Sequence, residues 1–241
     1  MPSAKTFSRA VLMAAWPIVA GYVVLGIPCG ILAASAGLNI WQVALMSLLL
    51  YSGVGQYMIP NMWIAGAPVA SIILSVSLLN SRQVLYGASL SRFMGTASRR
   101  LSFLFSALVT DETFGVNLAH FTHDSTWSLR QATGVNLCSQ CSWTLANILG
   151  VLAGSLLSVP VALASFAMTS IFICLLFTQH FTWARVMAAV TSAIVVIICK
   201  LLGLSGPAII LGALIGIVLG LVVQAVGKRG EGSRRGEGIG S

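Results

Sequence analysis

Asp111 and Glu112 are neighbours inside residues 101–121, a stretch otherwise apolar or weakly polar and long enough to cross a bilayer. A carboxylate near a bilayer centre costs roughly 2.5 to 3.5 kcal/mol on insertion scales, so two in one segment must be hidden, paired or neutralised. Thr110, Thr113 and Asn117 follow spacings of three and four and form a polar stripe beside the acids. Successive helical residues diverge by about 100°, so the two acids cannot address one partner in the same way. One is expected to bind a cation or a substrate ammonium, the other to pair internally or carry a proton.

Arg82 is the basic residue lodged well inside an apolar segment, flanked by Asn80, Gln83 and, one turn later, Tyr86. Its planar guanidinium carries five donors that match a carboxylate, either of another helix or of a transported solute. Pairing with Asp111 or Glu112 is one reading, contact with a solute carboxylate is another, and snorkelling to an interface is a third. The Gln56 amide both donates and accepts, which suits a zwitterionic or neutral polar ligand. Met46, Met58, Met62, Trp63 and Phe114 could line an apolar pocket but read first as packing. His120, His123 and His180 have no metal-like spacing and receive no site.

These side chains are carried by membrane helices. The chain is 57% apolar and 7% charged, where a soluble domain carries about 25% charged residues. A crossing helix needs about 20 apolar residues, and apolar material repeats at that length along almost the whole chain. The alternation of a membrane β-barrel is absent, so the fold class is all-α, a polytopic bundle. Candidate spans are 11–36, 42–66, 69–91, 101–121, 136–157, 161–181, 183–202 and 207–227. They form one transmembrane domain over 1–227, followed by a basic, Gly-rich and disordered tail at 228–241. The first apolar run exceeds signal-peptide length and should stay as a span.

The net charge of +8 comes from basic residues at segment ends and in the tail. Lys5 and Arg9 at one end, and Lys228, Arg229, Arg234 and Arg235 at the other, put both termini in the cytoplasm by the positive-inside tendency. Arg92, Arg99 and Arg100 object, since eight crossings would place them outside. An early segment that re-enters instead of crossing would remove the conflict.

The first three segments carry breakers. Trp16-Pro17, Gly21, Gly26, Pro28 and Gly30 interrupt the first, Gly53-Val54-Gly55-Gln56 the second, and Asn80-Ser81-Arg82-Gln83 lies inside the third. Proline removes a donor and glycine permits unusual dihedrals, so each site can open a helix and expose backbone dipoles to a solute. Gly30-Ile-Leu-Ala-Ala-Ser35 also resembles Gly150-Val-Leu-Ala-Gly-Ser155, a faint internal repeat. The five cysteines, Cys138-Ser-Gln-Cys141 included, lack a second pair or a His cluster and read as small buried residues. No nucleophile elbow, HExxH helix, phosphate-binding loop or heme-attachment motif is present, so neither an enzyme nor a cofactor is expected.

Four ordered blocks give the chain a family likeness. They are Gly21-Tyr22 with Ile27-Pro28-Cys29-Gly30 and Ala36-Gly37-Leu38; Leu45-Met46-Ser47 leading to Ser52-Gly53-Val54-Gly55-Gln56-Tyr57; Asn80-Ser81-Arg82 with Leu85-Tyr86; and Thr110-Asp111-Glu112-Thr113-Phe114. In these the chain resembles the AzlC family, large subunits of two-component branched-chain amino acid exporters. Gln83 stands where the family pattern commonly has His, which argues against a His-based proton relay there, and Tyr57 stands where Phe is usual. The resemblance implies a bacterial cytoplasmic-membrane exporter of Leu, Ile, Val or Met with a small hydrophobic AzlD-like partner. Arg82 and opened helix N-termini would face the substrate carboxylate, Asp111 or Glu112 the ammonium or a proton, and Gln56 and Asn80 would orient the backbone. The residues favour coupling to the proton-motive force; the alternatives are a permease subunit of an ATP-driven transporter or a noncatalytic scaffold.

Overall fold

The computed structural model describes residues 4–95, 97–156, 182–202 and most of 211–223, with scattered helical positions between 162 and 173. The described residues are helical, without strands: α1 (Ala4–Ser35), α2 (Ile40–Leu49), α3 (Gly53–Ile64), α4 (Val69–Leu90), a 3-10 turn (Ser91–Phe93), α5 (Arg99–Ala107), α6 (Asp111–His123), α7 (Leu129–Leu156) and α8 (Trp183–Leu201). Residues 7–35 and 69–93 form helices long and apolar enough to cross a membrane. The chain divides into two compact units, Met1–Gly66 with Ile72–Phe172, and Ala67–Ser71 with Ile173–Ser241. The expected segment 161–181 lies largely, 207–227 partly, and the tail 228–241 wholly outside the described residues. In the second unit α8 meets the helix at 214–223 closely: a Cβ on Gly216 would stand 2.8 Å from the Ala188 carbonyl oxygen.

In the first unit α7 is the post around which α1, α2, α5 and α6 gather. α1 buries Val11, Ala15, Ile18, Tyr22 and Cys29, spacings of three, four and seven that align one helical face. Further along that face Gly26 and Gly30 meet Ala146, Asn147 and Gly150 of α7. A Cβ on Gly30 would fall 2.0 Å from the Asn147 carbonyl oxygen, and one on Gly150 2.2 Å from that of Ile27. Small residues four apart thus let two backbones touch, the usual device of membrane helix pairs. The two segments with similar sequence are the two surfaces that pack together.

Two sequence expectations about breaks are corrected. α1 runs unbroken through Pro17, Gly21, Gly26, Pro28 and Gly30. Neighbouring side chains supply bonds to its carbonyls: Tyr57 donates to Leu25 O at 2.6 Å and Ser142 to Val19 O at 3.2 Å. α4 likewise runs unbroken through Asn80–Gln83. The second segment does open, at Leu50–Ser52, before α3 starts at Gly53. The fourth opens at Leu108–Thr110, where no Pro or Gly marks it. α7 also starts at Leu129, seven residues ahead of the expected boundary.

α3 begins with the Ser52 hydroxyl accepting from Gly55 N–H at 3.1 Å. α6 begins with a Thr110–Thr113 capping box, and α2 with one formed by Asn39 and Gln42. Amide side chains reach the carbonyls at the C-terminal ends of the broken pieces, two of which, Met46 O and Phe105 O, also accept from the backbone N–H groups of Leu50 and Leu108. Gln140 donates to Leu48 O, Gln56 to Met46 O and Asn136 to Phe105 O, at 3.2, 3.1 and 3.2 Å. A carbonyl left unpaired away from water would cost about 1 to 3 kcal/mol; Gln140 covers Leu48 O, and the other two amides add a second bond to carbonyls already paired.

Candidate functional site

The two acids stand in the first turn of α6 rather than in the middle of a helix. That is the correction to the opening expectation, and it changes their energetics. The helix N-terminus carries about half a positive charge from its free N–H groups, which favours carboxylates there. Asp111 Oδ2 lies 2.7 Å from the Arg82 guanidinium. Its other oxygen accepts a hydrogen bond from Tyr86, whose ring stacks on Phe114 with centroids 4.7 Å apart. Glu112 points elsewhere, as the helical divergence requires, and accepts from Tyr22 at 2.8 Å. Tyr22 also bonds the Thr110 hydroxyl at 2.8 Å, so α1 is tied to the cap of α6.

Arg82, Asn80 and Gln83 project from an uninterrupted α4. Asn80 Oδ1 accepts from Ser52, the cap of α3, at 2.6 Å, and Gln83 donates to Tyr51 O at 3.3 Å. α4 buries few side chains, among them Ile72, Ser75, Val76 and Leu90. Its middle is held to the starts of α3 and α6 by polar contacts rather than by a packed apolar face. Asn80, Gln83, Val84, Gly87, Phe103 and Ser106 help to line an open cleft of about 530 Å³ between α4 and α5.

Gln56 is fully buried and bridges three elements. Its Oε1 accepts from Trp143 at 2.8 Å and Ser47 at 3.2 Å, while its Nε2 donates to Met46 O. Gln56 therefore positions the broken helix, as does Asn80 through Ser52. Gly53 begins α3, and Gly55 leaves room for its cap, since a Cβ there would stand 2.9 Å from Ser52 Oγ. Asn117 stands apart, nearly two turns along α6, donating to Asn136 at 2.8 Å. Pro28 and Gly30 belong to the α1–α7 contact. The structure thus pairs Arg82 with Asp111 and sets Glu112 beside them on α6; Asn80 and Gln56 hold the start of α3 through Ser52 and Trp143, and Asn117, Pro28 and Gly30 belong to other contacts.

Tyr51, Trp143, Asn136 and Gln140, which carried no expectation from sequence, also surround or support the site, as does Tyr22 of the Gly21-Tyr22 block. A signal was present for α7: Asn136, Gln140, Thr144 and Asn147 recur at spacings of four, four and three in an apolar segment, and all are buried. The opposite stripe, Leu137, Leu145 and Leu149, is exposed together with Cys141. Cys141 is thus not the buried residue expected, because it lies on the outward side of α7; Cys29 and Cys199 are buried, and Cys174 lies outside the described residues. No group of three potential metal ligands occurs among the described residues.

Outside the helices, Asp124 accepts from the Thr126 hydroxyl at 2.6 Å and the Thr126 N–H at 2.8 Å in the α6–α7 turn. These bonds hold its carboxyl below the usual range.

The family model described as AzlC protein matches residues 17–157, the span that holds every side chain of the cluster. An uncharacterized membrane protein of Helicobacter pylori is 30% identical over 68% of this chain and 71% of its own. Inner membrane protein YgaZ of Escherichia coli is 29% identical over 58% of each chain. The branched-chain amino acid transport protein AzlC of Bacillus subtilis is 28% identical over 68% of this chain and 64% of its own. No solved structure matches the chain.

Proposed function

The chain belongs to the AzlC family of membrane transport proteins, and from that premise we propose that it exports branched-chain and other hydrophobic amino acids, Leu, Ile, Val or Met, driven by the proton-motive force. The observation that carries this reading is the Arg82–Asp111 ion pair at the opened start of α6, with Glu112 beside it. The two paired side chains are 33% and 29% exposed, so the pair is neither sealed in the core nor free in solvent. Water or a charged solute can compete for it. A zwitterion's carboxylate takes the place of Asp111 on Arg82, and Asp111 keeps the hydrogen bond from Tyr86.

Asp111 accepts from two side chains and Glu112 from one. Asp111 accordingly keeps Arg82 oriented until the substrate carboxylate arrives, and Glu112 takes the ammonium or the coupling proton. Gln56 and Asn80 hold the start of α3 in register with this pair. The apolar wall of the cleft along α4 supports an aliphatic cargo. α4, tied by polar contacts that a solute can exchange, is the element whose rocking alternates access. A small hydrophobic AzlD-like subunit completes the transporter, and both termini face the cytoplasm of the bacterial inner membrane.

Efflux of preloaded labelled leucine from proteoliposomes containing both subunits tests this directly. Efflux should accelerate when an imposed proton gradient drives protons against the amino acid flow, and neither ATP nor its absence should change it. With both subunits verified as inserted, gradient-independent leakage for every hydrophobic amino acid would overturn the proposal.

A further inference from the structure

α1 and α7 run parallel. Gly134 packs on Val11, Ser142 bonds Val19 O, Gly150 meets Ile27 O and Gly154 meets Ile31, all at one offset in residue number. Position along α7 therefore measures depth through the first unit, from the end where the chain begins to the end where α1 stops. On that scale α2 and α3 turn back instead of crossing. α2 runs inward from Val43, which clusters with Val151, to Leu48, whose carbonyl accepts from Gln140. α3 returns the way α2 came: Gly53 and Gln56 meet Trp143, and Tyr57 bonds Leu25 O, beside the contact of Gly26 with Ala146. Ser47 and Gln56 bond each other across the fold-back.

α5 and α6 repeat this from the opposite end. Going in, the Phe105 carbonyl accepts from Asn136, and at the turn Thr110 bonds Tyr22. Coming out, Asn117 pairs with Asn136, and His120 stacks on Trp127 just ahead of α7. Phe105 and Phe121 meet edge-on across this second fold-back, centroids 6.3 Å apart. The four helices are each about 14 to 20 Å long, about half of a hydrocarbon core of about 30 Å. α1 with α2–α3 and α4 with α5–α6 thus show one pattern, a full helix followed by a half-depth hairpin, in opposite orientations; inverted repeats of this kind are common in transporters.

The two tips, Leu50–Ser52 and Leu108–Thr110, end against the same stretch of α4. Asn80 bonds Ser52 and Gln83 bonds Tyr51 O, while Arg82 and Tyr86 bond Asp111 beside the second tip. Beyond them α4 runs alongside α6, with Phe93 stacked on Phe121, so α4 ends where α5–α6 enters. Charge follows the same division. The turns at 36–39 and 65–68 hold no charged residue, whereas Lys5, Arg9, Arg92, Arg99, Arg100 and Arg130 all fall toward the other end. The positive-inside tendency assigns that end to the cytoplasm, and the arginines at 92–100 cease to conflict with it.

We infer that α2–α3 and α5–α6 are re-entrant hairpins entering from opposite faces of the membrane, and that they are the outer and inner gates of one solute site at α4. Each hairpin fills the half of the membrane between that site and one aqueous face, so withdrawing its tip opens the site to that face alone. The outer tip is held by Asn80 and Gln83 and the inner one through Arg82 and Tyr86, and helical spacing points the two pairs to different sides of α4. Rocking α4 toward one tip therefore draws it from the other. The gating role rests on the amino acid transport reading above; the hairpin topology does not.

Topology is tested in a cysteine-free variant of the full chain, co-expressed with its small partner, by single cysteines labelled with a charged, impermeant maleimide in sealed vesicles of each orientation. Ser35→Cys and Ala65→Cys flank α2–α3 and should label from one face; Ser91→Cys and Ser125→Cys flank α5–α6 and should both label from the other. A hairpin that crosses would split its own pair between the two faces, and either split would overturn the inference whatever the protein transports. Gating is tested by a reducible cross-link between Ser52→Cys and Asn80→Cys. It should slow leucine efflux at least about tenfold relative to the same variant after reduction, while leucine binding in nanodiscs stays the same. Unchanged efflux, or binding lost with it, would overturn the gating role. If wild type moves no hydrophobic amino acid, the transport reading and the gating role fail together, and the labelling still decides the topology.

Discussion

Asp111 and Glu112 are adjacent, equally charged and placed on one helical turn, yet their surroundings differ enough to predict opposite phenotypes. Asp111→Asn leaves the Arg82 guanidinium without its counter-charge. Removing one partner of a wholly buried pair costs about 3 to 5 kcal/mol, and exposure near one third reduces this to about 1 to 2 kcal/mol. Thermal unfolding in detergent should show that loss even without substrate. Glu112→Gln keeps an acceptor for Tyr22 on an exposed side chain, so its melting temperature should stay within a degree or two of wild type, about 0.5 kcal/mol. Its leucine efflux should lose dependence on the proton gradient. The reverse pattern, a stable Asp111→Asn and an unstable Glu112→Gln, would invert the division of roles. Sequence made the acids and Arg82 conspicuous because charge is scarce in this chain. It could not separate their roles, since those depend on Tyr22 and Tyr86 arriving from other helices and on a break at Leu108–Thr110 that carries neither Pro nor Gly.

Proline and glycine proved poor guides to which helices open, because their effect depends on what lies across from them. Gly26 and Gly30 lie in a continuous α1 and serve contact with α7, whereas the breaks before α3 and α6 depend on Ser and Thr caps and on distant amides. The contact predicts a sharp contrast among substitutions of one kind. Gly30→Ala and Gly150→Ala would drive a methyl group into backbone atoms and should each lower stability by about 1 to 3 kcal/mol. Gly21→Ala and Gly115→Ala meet nothing within 4 Å and should be neutral or slightly stabilising, since alanine is the better helix former by about 1 kcal/mol. Equal melting temperatures across all four would sink the packing account. The α6–α7 turn gives a pH-dependent case. Its bonds to Thr126 depress the Asp124 carboxyl in the folded state, so their contribution is present above the ordinary carboxylate range and is lost as pH falls through the lowered value. Hydrogen exchange at the Thr126 amide, corrected for its intrinsic pH dependence, should lose protection only in that acid window. Protection that persists through it would show that the carboxylate does not hold the turn.

At the scale of the molecule, α7 has its polarity turned inward: Asn136, Gln140, Thr144 and Asn147 are buried while Leu137, Leu145 and Leu149 face out. In water this arrangement would expose apolar surface and bury amides. In a bilayer it is the favourable one, because lipid solvates the leucines and the amides find partners only inside the bundle. The membrane setting was legible from composition alone, whereas the inward polar stripe required knowing which face of α7 meets α1, α2 and α5. Cys141, on the outward stripe, reports on this inversion. In a variant retaining Cys141 as its sole cysteine, a lipid-soluble maleimide should label intact membranes, and a charged, water-soluble maleimide should label only after detergent unfolding. A companion variant retaining only Cys29, which is fully buried against the core, should resist both reagents until unfolded. Rapid labelling of Cys141 by the charged reagent in sealed membranes would place that stripe against water. The outward leucines would then line an aqueous path, and α7 could no longer be the lipid-facing post around which the site is built.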